Sequence, residues 1–185
     1  MKVKILTLAT LFYCSLFMVN VQSQTFQKGD KVLNLGIGFG GQSPSNYQVT
    51  TPSGSASFEY GIKDQGPDKG SFGIGGYIGY AHYKENGGSY SGDNYWTVNR
   101  ILIGVRGVIH YTLIDKLDTY GGLTLGIIAR SWKWNGSGSE PSHPSRSPIG
   151  GDIFVGGRYY FSDKFAVMGE LSLGTYLTLG IALKL

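Results

Sequence analysis

Between Lys31 and Leu185, apolar side chains alternate with glycine, hydroxyl or charged ones in eight stretches. Period two marks a β-strand, whose successive side chains point to opposite faces. The stretches are Lys31–Gly41, Ser55–Asp64, Ser71–Tyr83, Tyr95–Tyr111, Thr119–Trp132 and Ile149–Phe161, then a closing pair joined near Gly174-Thr175 and ending at Leu185. One register carries the aliphatics: Leu33, Leu35 and Ile37 in the first stretch, Ile101, Ile103 and Val105 in the fourth, Leu177, Leu179 and Ile181 in the last. The other carries glycines and charges. Such a pairing of faces suits a small barrel turned inside out, apolar toward lipid and polar within. The pattern predicts an all-β fold, an eight-stranded antiparallel up-and-down transmembrane β-barrel.

The connections support this. Gln42–Gly54, Lys84–Asn94 and Lys133–Pro148 are long and rich in Ser, Gly, Asn and Pro, whereas Gln65–Gly70, Thr112–Asp118 and Ser162–Lys164 are short. Short turns on one rim and long loops on the other is the outer-membrane arrangement, with the short rim periplasmic. An even strand number returns both chain ends to that rim. Phe72, Tyr111, Tyr120, Phe161 and Phe165 fall beside the short turns, with Tyr80 and Trp132 toward the loops. Aromatic rings suit the headgroup zone, although strict parity turns Trp132 inward.

The chain opens with Met1-Lys2-Val3-Lys4, an apolar run from Ile5 to Val19, and Val21-Gln22-Ser23. That charged, apolar, small-residue order is a secretory signal, so residues 1–23 are expected to be a cleaved leader and 24–185 the barrel domain. The sole cysteine, Cys14, lies in the leader, which leaves the mature chain without thiol or disulfide chemistry. Lys2 and Lys4 leave with it, reducing the 16 basic residues to 14 against 12 acidic ones, a net charge of +2. A charge so small is no nucleic-acid footprint.

The inward register collects Glu59, Lys63, Arg100, Arg106, Arg130, Asp152, Arg158, Glu170 and Lys184. Charges in a lumen of low dielectric must be paired. Glu59, Arg100, Arg106, Arg130, Asp152, Arg158 and Glu170 are therefore the expected members of an ion-pair network that plugs the barrel. Arg158 and Glu170 flank one hairpin turn and are expected to face each other, because a planar guanidinium suits a carboxylate. Gly36-Ile37-Gly38-Phe39-Gly40-Gly41 matches a dinucleotide fingerprint in letters only, since no helix opens after it. An eight-stranded interior has room only for side chains, and inward glycines make space for Tyr77, Tyr160 and the arginines. His82, His110 and His143 lack metal-ligand spacing. His143-Pro144-Ser145 lies in a Pro/Ser loop with no oriented acid beside it. No catalytic, metal or cofactor-binding residue is expected.

Gly156–Gly174 (GGRYYFSDKFAVMGELSLG) and Leu177–Leu185 (LTLGIALKL) resemble the closing strands of small outer-membrane β-barrel proteins of the OmpX and OmpA-membrane-domain type. Tyr120–Gly126 (YGGLTLG) resembles a mid-barrel strand of the same family. The resemblance implies residence in the outer membrane of a Gram-negative bacterium, reached through the periplasm, with insertion by the barrel assembly machinery. The usual aromatic last residue of that family is Leu185 here. The expected role is structural or surface-interacting. Outer-membrane lipid surrounds the barrel, and an extracellular partner would meet loops 42–54, 84–94 and 133–148. A narrow pore, a lipid-modifying enzyme and a soluble lipocalin-type barrel stand as alternatives.

Overall fold

The computed structural model describes residues 26–40, 47–49, 51–64, 70–86, 94–136, 142, 148–175 and 177–185. Over these residues the alternation becomes β1 (Lys31–Phe39), β2 (Tyr47–Val49), β3 (Ser53–Asp64), β4 (Ser71–Asn86), β5 (Tyr95–Ile114), β6 (Leu117–Asn135), β7 (Ile149–Tyr160), β8 (Phe165–Ser172) and β9 (Leu177–Lys184). Each strand except β2 pairs antiparallel with two neighbours, in the cyclic order β1, β3, β4, β5, β6, β7, β8, β9. Pairing of β1 with β9, Val32 opposite Lys184 through Phe39 opposite Leu177, closes the ring. Closure leaves no unpaired strand edge in the ring, the condition for a sheet to sit in hydrocarbon. The short β2 stands outside the ring and pairs only with the far end of β4.

Burial is inverted relative to a soluble protein. Ile103, Val105 and Ile127 are 60%, 61% and 67% exposed, while Glu59 and Arg158 are fully buried. On β5 the outward positions from Ile101 to Leu113 span about 30 Å of barrel height, at ~3.4 Å per residue and a tilt of ~40°. That matches a bilayer's hydrocarbon layer. The fold is a transmembrane β-barrel. The lipocalin-type alternative, which needs the aliphatic register inside, is overturned by the same observation.

Inward glycines make the narrow ring sterically feasible. Gly104 and Gly126 lie directly opposite each other on β5 and β6. A Cβ on Gly126 would lie 2.1 Å from the carbonyl oxygen of Ile103, and one on Gly104 would lie 2.4 Å from that of Leu125. At Gly156 a Cβ would meet the Tyr120 ring at 2.7 Å. Absent side chains thus let strands curl closely and give large neighbours their space.

Strand ends depart from expectation in both directions: β1 stops at Phe39 and β7 at Tyr160, while β3, β4, β5 and β6 run longer. The Thr112–Asp118 link shrinks to Asp115 and Lys116, with Lys116 at a φ of 67°. At the loop rim β4, β5 and β6 continue to Asn86, back to Tyr95 and on to Asn135. Cross-strand hydrogen bonds extend pairing past the point where the alternation stops being apolar. Lys63 is the one inward assignment that fails. A register shift between Gly61 and Lys63 places Lys63 opposite Phe72, on the outer side, where it is exposed. One extra residue in a bulge reverses parity beyond it.

Substituting Gly126 by Val should destabilise the barrel by about 1–3 kcal/mol through overpacking. Gly157→Ala on the outer face, where the nearest atom is 3.6 Å from the added Cβ, should be tolerated. Urea unfolding of both variants in detergent micelles makes the comparison; equal loss at the two sites would contradict the steric account.

Candidate functional site

The lumen toward the short-turn rim is built around Arg158 on β7. Its Nη2 donates to Glu59 Oε2 on β3 at 2.5 Å, and its Nη1 donates to Asp118 Oδ2 on β6 at 3.2 Å. The guanidinium therefore ties β3 to the paired β6 and β7, on which Asp118 and Arg158 are directly opposite. Asp118 also accepts from His110: Nδ1 of the imidazole lies 3.0 Å from Oδ1. His110 Nε2 points back to Glu59 Oε2 at 3.5 Å, within ion-pair range but beyond a hydrogen bond. All four side chains are essentially inaccessible.

A second layer sits alongside. Arg106 Nη2 on β5 donates to Glu170 Oε2 on β8 at 2.8 Å, and its Nη1 donates to Ser57 Oγ at 3.3 Å. Asn34 Nδ2 bridges Ser57 Oγ at 2.9 Å and Glu59 Oε1 at 3.2 Å, connecting the layers. The Tyr120 hydroxyl donates to Glu170 Oε2 at 3.3 Å. Both guanidiniums also face aromatic rings, Arg158 over Tyr120 at 4.4 Å and Arg106 over Phe154 at 3.7 Å. Planar cations are stabilised over ring faces when desolvated. Three carboxylates thus face two guanidiniums, with His110 lodged between two of the acids.

Below this cluster the segment before β1 folds into the barrel mouth. Phe26 is buried and stacks on His110 with ring centroids 3.9 Å apart and planes 19° from parallel. Ser71 Oγ donates to the Phe26 carbonyl at 2.6 Å, and the Gly29 amide donates to the Gly61 carbonyl at 2.8 Å. Phe26 packs with Val32, Tyr160, Ala166 and Ala182. Lys184 Nζ closes the rim against Asp30 Oδ2 at 2.7 Å.

Four of the seven expected residues, Glu59, Arg106, Arg158 and Glu170, enter this network. The expected Arg158–Glu170 pair does not form. Register sets Arg158 opposite Met168 and Glu170 opposite Gly156, so each reaches across the lumen to another wall. Arg100, Arg130 and Asp152 are inward but nearer the loop rim. Arg100 and Arg130 are directly opposite on β5 and β6, and Arg130 has contacts of its own. Asp152 accepts from the Gly174 amide at 2.9 Å. It shares with Arg100, Thr175 and Thr178 a cavity of about 20 Å³, room for about one water. Higher still, Trp96 packs against Trp132 and Trp134, with centroids 6.2 and 5.2 Å away. Trp132 is thus an inward residue, not a girdle residue. Tyr120, expected in the girdle, also faces inward.

Among the contributors that the sequence reading left out of the network are His110, Asp118 and Phe26. Extending the Thr119–Trp132 alternation one residue back would have turned Asp118 inward, whereas Phe26 precedes the periodic region and carries no such signal. His82 lies on the outer face, with Nδ1 2.9 Å from Asn99 Oδ1. His143 and Ser145 lie outside the described residues, as do the leader and most of the three long loops. Among the described residues, no three His, Cys, Asp or Glu groups are arranged to hold a metal.

No family model matches the sequence, and none of the curated proteins does. Solved structures do resemble the fold. A de novo designed transmembrane β-barrel aligns at 15% identity over 88% of this chain and 100% of its own, with a TM-score of 0.49. The outer membrane protein Ail of Yersinia pestis in a phospholipid bilayer nanodisc aligns at 13% identity over 85% and 100%, TM-score 0.45. Ail, the attachment invasion locus protein, crystallised with the heparin analogue sucrose octasulfate, aligns at 9% identity over 85% and 96%, TM-score 0.44. The barrel assignment for this chain stands on its own closed ring and inverted burial.

Arg158→Met should destabilise the barrel by about 3–5 kcal/mol, because it strands two buried carboxylates. Arg100→Met, at a site without that pairing, should cost under about 1 kcal/mol. Urea unfolding in micelles gives both values; similar losses would show that the network carries no special weight.

Proposed function

We propose that this chain is an integral outer-membrane protein of a Gram-negative envelope with a sealed polar lumen, serving envelope structure or surface interaction. The observation that carries the reading is Arg158 bonded at once to Glu59 and Asp118, with Phe26 closing the mouth beneath. Side chains from β3, β6 and β7 meet there, where a pore would need water. The mature chain from residue 24 would cross the periplasm and be inserted by the barrel assembly machinery. Its short turns would then face the periplasm, and the loops at 42–54, 84–94 and 133–148 would offer the surface to an extracellular partner. The ladders of β4, β5 and β6 lift two of those loops clear of the apolar belt, which favours contact with something outside the cell.

Catalysis has no support in the buried charges. Each carboxylate of the network is engaged by a cation or imidazole.

Fractionation of expressing cells should place the mature chain with outer membranes. Planar-bilayer recordings of the purified barrel should show no conductance; steady single-channel steps from the unaltered protein would sink the sealed-lumen reading. Lipid A extracted from the same cells should keep its mass. A mass shift that disappears in His143→Ala would establish lipid-modifying chemistry instead.

A further inference from the structure

On the outer face of β4, β5 and β6, chemistry changes abruptly at one height. Cross-strand register sets the side chains in rows: Tyr80, Ile101 and Ala129 form the last apolar row. Directly above it stand His82, Asn99 and Ser131, and above those Lys84, Thr97 and Lys133. All share the parity of the lipid-facing Ile78, Ile103 and Ile127, so they project outward. The rows are knitted together. The Tyr80 hydroxyl donates to Asn99 Oδ1 at 2.7 Å, Lys84 Nζ lies 4.2 Å over the Tyr95 ring, and Asn135 Nδ2 donates to Thr97 Oγ1 at 2.7 Å.

No carboxylate shares this outward register among the described residues of β4, β5 and β6. The feature belongs to one side of the barrel. Pairing of β7 with β6 begins at Ile149 opposite Ile127, below these rows, and β3 leaves β4 at Gly54 opposite Tyr80. Each row rises about 5 Å along the barrel axis, which sets the lysine row about 10 Å above the apolar edge. Headgroups occupy that layer, and long cationic side chains there favour anionic ones.

We infer that this face docks the phosphorylated headgroup of an outer-leaflet lipid. Lys84 and Lys133, two strands and about 10 Å apart, bracket the phosphate-bearing head while its acyl chains lie on Tyr80, Ile101 and Ala129. Asn99, Ser131 and Thr97 supply neutral hydrogen-bonding groups between them. The inference rests on the outer-membrane reading above and adds which side of the barrel holds lipid and by what chemistry.

The mature chain is folded into phosphatidylcholine vesicles containing a minor proportion of lipid A, and lipid A retained per barrel is counted by native mass spectrometry. The unaltered protein should retain lipid A in preference to phosphatidylcholine and lose that preference when the lipid A phosphates are removed. Lys84→Gln and Lys133→Gln should each lower retention about fivefold, the effect of one interfacial charge. Lys63→Gln, at the opposite rim, should leave retention unchanged. Equal retention of dephosphorylated lipid A, or an equal loss in the Lys63 variant, overturns the inference while leaving the barrel in the membrane. Failure of the chain to enter vesicles at all overturns the membrane reading and this inference with it.

Discussion

A charge inside a narrow barrel has little water to solvate it, and that constraint organises the lumen. Arg158 meets it by reaching Glu59 and Asp118 on separate walls, leaving the neighbouring Glu170 to Arg106. The Arg158–Glu59 and Arg106–Glu170 pairs brace strands that share no backbone ladder. Removing one partner leaves an uncompensated charge with nowhere to go, which makes the network all-or-nothing. Aromatic faces of Tyr120 and Phe154 cover the guanidiniums, so rings and ions form one packed unit rather than two.

The outer surface follows from the same closure. A ring that satisfies every backbone group internally can expose Ile103, Val105 and Ile127 to hydrocarbon, where those side chains gain nothing by turning inward. Glycine is the compromise that permits it. At Gly104, Gly126 and Gly156 the neighbouring wall is too close for any side chain, and the barrel is narrow because those positions are empty. The Phe26 stack on His110 then extends the packed interior below the strands, joining the segment before β1 to the network by a ring contact.

Above the belt, the barrel is asymmetric. Strands β4, β5 and β6 outrun the others, and their outer rows turn from apolar to polar within two residues per strand, with Lys84 and Lys133 one row higher on β4 and β6. Their inner rows end in Trp96, Trp132 and Trp134. The same three strands therefore set both the roof of the lumen and the chemistry offered to the headgroup layer.

Much of this was legible in the chain. Period two determines which side chains share a face whatever the strand's partners, so the inward charges and outward aliphatics could be assigned before any contact was known. The exceptions share a cause. Lys63 lies beyond a bulge that reverses parity, Asp118 sits just outside the apolar alternation, and Phe26 precedes it. Pairing was a different matter. Parity places Arg158, Glu170 and Glu59 in one lumen but says nothing of their heights, and height is set by the stagger of strands around the closed ring. By itself the sequence determined a barrel, its inside and its outside, because those follow from local alternation. Which charge meets which, which rings roof the lumen and which side rises above the membrane were decided only when the register closed, because those contacts depend on residues far apart in the chain arriving at the same level.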